Sequence, residues 1–191
     1  MLSAGVGFVA AGVGLLLGRG RGWYWVLLCP AAALACWRGS AGLPVLWAVL
    51  AYAAARDLRD MEVPDLVWWL GAGGWLLLGG QVSREAGIAG GYFALAFGLL
   101  LQWLSWRLLG SAGYGDADVL CGVLVGLYLG PLGACASVGA GAVAGVAHGS
   151  WLRARRGLGA REPFPFLPAL CLGVAVGTLI SQLYMETFWG V

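Results

Sequence analysis

Two short stretches of this 191-residue chain hold carboxylates in places where they could work as a pair. The first is Arg56-Asp57-Leu58-Arg59-Asp60-Met61-Glu62-Val63-Pro64-Asp65. The second is Gly113-Tyr114-Gly115-Asp116-Ala117-Asp118. Two carboxyl groups held close together resist losing both protons, so one stays protonated while the other is ionised. Such a pair can act on a water between them: the base takes a proton from it, the water attacks a carbonyl, and the acid protonates the departing nitrogen. This chemistry requires no covalent intermediate, cofactor or metal. Asp57 and Asp116 are the candidate pair, titrating as a unit.

The elements that position these acids must be membrane helices. Hydrophobic residues make up 61% of the chain and charged residues only 10%, against roughly 25% charged in a soluble domain; the mean hydropathy is +0.85. A helix needs about 20 apolar residues to cross the hydrocarbon. About eight candidate segments stand out: Ala4–Gly18, Trp23–Trp37, Leu43–Ala55, Leu66–Gly80, Ala86–Leu109, Val119–Leu129, Leu132–Ala147 and Phe164–Leu183. Val119–Leu129 is the shortest, split from its successor by Pro131 and neighbouring glycines, and could be a half-helix. Met1–Gly18 has no basic segment before its apolar run and reads as a retained helix rather than a secretory signal. The expected fold is therefore all-α: a polytopic membrane bundle with both termini outside, residues 1–42 forming an N-terminal hairpin and residues 43–191 a six-helix core.

Arginine placement gives an orientation. With the N-terminus outside and eight crossings, Arg19, Arg21, Arg56, Arg59, Arg107, Arg153, Arg155, Arg156 and Arg161 fall inside, and only Arg38 and Arg84 outside. This is the bias that positive-inside loops produce. The acids Asp57, Asp60, Glu62, Asp65, Asp116, Asp118 and Glu162 fall on the same inner side, and Glu85 and Glu186 outside. Since that rule says little about acids, their clustering needs a reason of its own.

Locally, Pro64 stops the preceding helix and Asp65 suits the N-cap of the next, so Asp57 belongs at the inner end of the third helix. Asp116 opens the sixth. Gly113 and Gly115 free the backbone to turn beside a carboxylate and leave room for a substrate chain. Tyr114 fits either a cleft lining or an interfacial position. Gly139, Gly141 and Gly145 suit close helix packing. Trp23, Trp25, Trp37, Trp103, Trp106 and Trp189 lie near helix ends as interfacial anchors. Cys29, Cys36, Cys121, Cys135 and Cys171 show no CxxC spacing and read as small buried hydrophobes. His148, the one histidine, reads as an interfacial or packed residue.

The two acidic stretches resemble the motifs of the type IV prepilin peptidase family, membrane aspartic proteases of the GxGD kind. The first motif, an Asp at a helix end followed by a short polar stretch and Pro-Asn or Pro-Asp, corresponds to Asp57-Leu58-Arg59 through Pro64-Asp65. The second is Gly113-Tyr114-Gly115-Asp116. A softer feature is the Pro-Phe-rich lead-in to the last helix, Glu162-Pro163-Phe164-Pro165-Phe166-Leu167-Pro168. The resemblance spans Leu43 to Leu183. It implies catalytic roles for Asp57 and Asp116, with Gly113, Tyr114, Gly115, Pro64, Asp118 and Asp60 around them. It also implies cleavage after Gly in a prepilin-like partner, at the junction of its short basic leader and hydrophobic helix, on the cytoplasmic face of the cell membrane. Asp60, Glu62 and Asp118 could attract that basic leader. Two departures stand out: many members carry Lys where this chain has Asp118, and full-length bacterial members carry an N-terminal CxxC-bearing segment linked to pilin methylation. The resemblance is thus to short, peptidase-only members, and no methyltransferase activity is expected.

Other classes remain open on these residues alone. A small transporter or ion-coupled protein would carry acids near the bilayer midplane, whereas these lie at helix ends. A metal-dependent enzyme could draw on Asp57, Asp60, Asp116, Asp118 and His148, and chelator sensitivity would reveal it. A structural membrane subunit would tolerate loss of the acids. Lipid is an expected partner; the net charge of +2 does not suggest nucleic acid.

Overall fold

The computed structural model describes residues 40–109, 114–156 and 165–189, with Val9 and Gly12 besides. Among them are five helical elements: α1 Leu43–Asp60, α2 Asp65–Leu78, α3 Arg84–Leu109, α4 Asp116–Arg156 and α5 Leu167–Trp189. No strand occurs among the described residues. Three helices, Arg84–Leu108, Asp116–Arg155 and Leu167–Phe188, are long and apolar enough to cross a membrane. The expected eight crossings are not carried by this structure. The two N-terminal segments and the chain termini lie outside the described residues, α2 is a shorter apolar helix, and the sixth and seventh segments run together as α4.

α4 is 41 residues long, which as a straight rod would reach about 60 Å, twice a bilayer core. It is not straight. Gly130 adopts φ 72, ψ −177, a non-helical conformation that joins two helices, and Pro131 follows it. Neighbours on each side show a reversal. Before the break, Val119 lies against Gly98 and Leu127 against Gly87 of α3; after it, Gly141 meets Leu170 and Gly145 meets Phe166 of α5. At the break itself, Ser181 donates to the Leu129 carbonyl at 3.4 Å. Residues 116–129 therefore run away from the Asp57 end of the bundle, and residues 131–156 return to it. The division that Pro131 suggested is real: Gly130 separates two helices within the stretch labelled α4.

Close approaches are made on glycine. A Cβ on Gly90 would collide with the Gly126 carbonyl, and one on Gly126 with that of Gly90, so α3 and α4 cross backbone to backbone. Gly173 of α5 meets Ser137 and Gly141 of α4 in the same way. Small residues at helix crossings permit this in lipid, where dispersion contacts rather than water exclusion drive association. Gly141 and Gly145 do pack as expected, but Gly139 has nothing within 4 Å of a Cβ position and takes no part.

α1 is the centre of the core: Leu43, Leu46, Trp47 and Leu50 are fully buried against α2, α4 and α5. Pro44 sits in its first turn, where a missing N–H costs nothing. It ends on Met61, whose left-handed conformation carries its N–H back to the Asp57 carbonyl at 3.1 Å. The outward faces of α2 and α3 expose Trp69, Leu77, Tyr92, Trp103 and Trp106, an apolar exterior suited to lipid rather than water.

Candidate functional site

The site is built where α1 ends, α4 begins and α5 begins. Asp57 occupies the last turn of α1. Its Oδ2 accepts the backbone N–H of Leu167 at 3.0 Å, so a carboxylate from one helix caps another, where exposed amides and the helix dipole favour negative charge. Burial nevertheless dominates, raising the Asp57 carboxyl from the ordinary 3.8 to about 6 against the lowering effect of the Leu167 and Phe166 amides.

The second stretch delivers its two aspartates in different directions. Asp116 is exposed, and its Oδ1 accepts a hydrogen bond from the Gln102 amide of α3 at 2.6 Å. Asp118 is buried, at 8% exposure. Its Oδ2 accepts the Gly115 N–H at 2.9 Å, the back-reaching half of a capping box. Asp118 lies within electrostatic reach of Asp57, and the fully buried Cys121 lies within reach of both. Asp118 is thus turned inward and within electrostatic reach of Asp57, while Asp116 is hydrogen-bonded to α3 through Gln102.

Tyr114 belongs to the interior rather than the interface. It is 9% exposed, packs on Phe166 with ring centroids 6.0 Å apart, and donates its hydroxyl to the Asp118 carbonyl at 3.4 Å. Burial pushes its phenol well above the usual range, so it remains a proton donor. Gly115 does not use the backbone freedom expected of it, since the positive-φ glycines among the described residues are Gly79 and Gly130. A Cβ on Gly115 would meet Asp118 Oδ2 at an ordinary 3.6 Å. Gly113 and the stretch Glu162–Phe164 lie outside the described residues. Pro64 is extended (φ −62, ψ 136) and itself forms the N-cap of α2; Asp65 falls in the first turn without a side-chain cap bond. Asp60 is ion-paired with Arg56 at 2.6 Å and Arg59 at 3.4 Å.

Cys121 and Cys171 are buried as expected of small hydrophobes, whereas Cys135 is exposed. His148 packs beside Trp151, centroids 6.2 Å apart. Among the described residues no group of three His, Cys, Asp or Glu could hold a metal ion. Sequence reasoning missed two participants. Gln102 is the one amide side chain in α3, a signal present in the sequence. The Leu167 N–H is main chain, and only the start of a helix at that point marks it.

Fold and site together define an all-helical protein with membrane-length helices and two carboxyl groups, Asp57 and Asp118, within electrostatic reach of each other. Comparison with protein-family models, with curated proteins and with solved structures finds no match.

Proposed function

We propose that this chain is a membrane aspartic endopeptidase that removes short basic leaders from prepilin-like proteins, cleaving after Gly at the cytoplasmic face of the cell membrane. The observation that supports the reading is that Asp57, at the end of α1, is bonded to the first amide of α5 and lies within electrostatic reach of the first turn of α4, which carries the second acidic stretch. Neither acid sits mid-helix, where an ion pathway would need it.

Water between the two carboxyl groups gives a proton to the ionised one as its oxygen attacks the scissile carbonyl carbon. The protonated one gives its proton to the amide nitrogen, the C–N bond breaks, and the products are the leader's new carboxyl end and a free amine. A site at a helix end lets the hydrophobic stem of the substrate remain in lipid while the bond next to it reaches water. The test is cleavage of a co-expressed prepilin-like protein carrying a basic leader. Asp57→Asn keeps the shape and the acceptor for Leu167 but lacks a titratable proton, and is expected to lose at least about 100-fold in cleavage. Cleavage at the wild-type rate in that variant would remove the proposal.

A further inference from the structure

We infer that Gln102 of α3 is a positioning residue that holds Asp116, the GxGD aspartate, in its working orientation. The inference rests on the peptidase reading above and adds α3 to the elements that build the site. The Gln102 side-chain amide donates from Nε2 to Asp116 Oδ1 at 2.6 Å. That bond is the fourth rung of a ladder between two helices. On α3, Gly90, Ala94, Gly98 and Gln102 recur every four residues and so lie along one face. Facing them on the first half of α4, in reverse order, are Gly126, Gly122, Val119 and Asp116. A Cβ on Gly90 would strike the Gly126 carbonyl, the Ala94 methyl lies 4.0 Å from the Cβ position of Gly122, and the Cβ position of Gly98 lies 3.1 Å from Val119. Each of these three rungs has a small residue on at least one side, which draws the backbones together. The fourth then delivers an amide to a carboxylate.

The type of side chain fits the chemistry. In the peptidase reaction Asp116 passes between carboxylate and carboxyl, as it takes a proton from the water or gives one to the leaving nitrogen. An amide carries both a donor and an acceptor at its end. Nε2 donates to the carboxylate, and Oε1 accepts from the carboxyl after a half-turn of the amide plane, so Gln102 can hold Asp116 in either state. The amide also brings no charge, unlike Arg56, which forms an ion pair with Asp60. It engages one carboxylate oxygen and leaves the other for the water. Asp116 is exposed, so packing does not fix its rotamer and the hydrogen bond does. A base that is already aimed reacts without first giving up side-chain freedom.

The experiment is leader cleavage by the full chain in detergent, as kcat and KM, for Gln102→Leu, Gln102→Glu and Asp57→Asn, with Tm measured for each. Leu suits an apolar helix and lacks the donor. Its kcat is expected to fall about 10-fold, the size of a lost hydrogen bond to a charged group, with KM within about twofold of wild type. Gln102→Glu keeps the shape. Near pH 8 its carboxylate repels Asp116; as pH falls it takes up a proton and can donate again. The ratio of its rate to that of wild type is therefore expected to rise between about pH 8 and about pH 5. A side chain that only ties α3 to α4 would change Tm and leave both kcat per folded molecule and that ratio unmoved. Wild-type kcat in Gln102→Leu, or a ratio in Gln102→Glu that does not change with pH, overturns the inference while leaving the peptidase reading intact. Wild-type cleavage in Asp57→Asn overturns the peptidase reading itself.

Discussion

The carboxylate of Asp57 accepts the Leu167 N–H at 3.0 Å across 110 residues of chain, so the residue proposed to work on a water also fastens α1 to α5. The two duties conflict energetically. The folded protein holds the Asp57 proton to about pH 6, against an ordinary 3.8. A group that binds its proton more tightly when folded imposes no penalty below pH 4; the penalty grows as pH rises toward 6 and is complete above it. At about 1.4 kcal/mol per pKa unit, the rise from 3.8 to about 6 means that the ionised carboxylate destabilises the fold by on the order of 3 kcal/mol at pH 8. Asp57→Asn keeps the cap without the charge, so its thermal stability in detergent is expected to exceed wild type at pH 8 and to converge with it at pH 4. Asp57→Ala loses the cap as well and is expected to fall about 1 kcal/mol below the Asn variant at both pH values. An Asn variant no more stable than wild type at pH 8 would show that Asp57 is well solvated.

The same proton sets the acid limb of activity. With both carboxyl groups protonated no base is available, and the first proton leaves near the raised Asp57 value of about 6. Cleavage is therefore expected to rise as pH increases through 6, about two pH units above where an ordinary aspartate would place the limb. Initial rates against pH with a detergent-solubilised leader substrate measure it, and a midpoint near 4 would contradict the burial of Asp57.

Much of this arrangement is legible in the amino-acid sequence. Pro64 and the apolar run before Arg56 put Asp57 at a helix end, and Pro131 marks a break at the place where the chain reverses. Which of Asp116 and Asp118 turns toward Gln102 of α3 and which is buried is not legible there. It depends on the rotation of α4 about its own axis, set by Val119 against Gly98 and Tyr114 against Phe166. Residues that meet across long stretches of chain leave no trace in local spacing. The same holds for Gly90 and Gly126, which look ordinary in their own helices and acquire meaning only where those helices cross.

The α3–α4 crossing can be tested directly. In Gly126→Ala the new Cβ meets the Gly90 carbonyl and the Gly91 amide, backbone atoms that cannot swing aside as a side chain would. Overpacking of this kind costs about 1–3 kcal/mol. Gly139→Ala is the matched control, with nothing within 4 Å of its Cβ, and is expected to gain up to about 1 kcal/mol from helix propensity. Unfolding in detergent for the two variants should therefore move in opposite directions. A neutral Gly126→Ala would mean that the two helices are not in backbone contact.

Gly130 tests whether the turn at the far end of the bundle is separable from the site. Its φ of 72 with ψ of −177 lies in backbone space that side chains other than glycine's avoid, at a cost of about 1–3 kcal/mol. Val82 also stands 3.3 Å from the Cβ position. Gly130→Ala is therefore expected to lower Tm. The carboxyl pair lies at the opposite end of α4's first half and is framed by its own contacts through Tyr114, Phe166 and Leu167, so the molecules that remain folded should cleave with wild-type KM and kcat. Cleavage normalised to the folded fraction, measured below the transition, separates the two effects. A loss of kcat without a fall in Tm would mean that the direction in which the first half of α4 leaves the turn also sets the aim of the carboxylates in its first turn, making the Gly130 turn part of the device that positions the site.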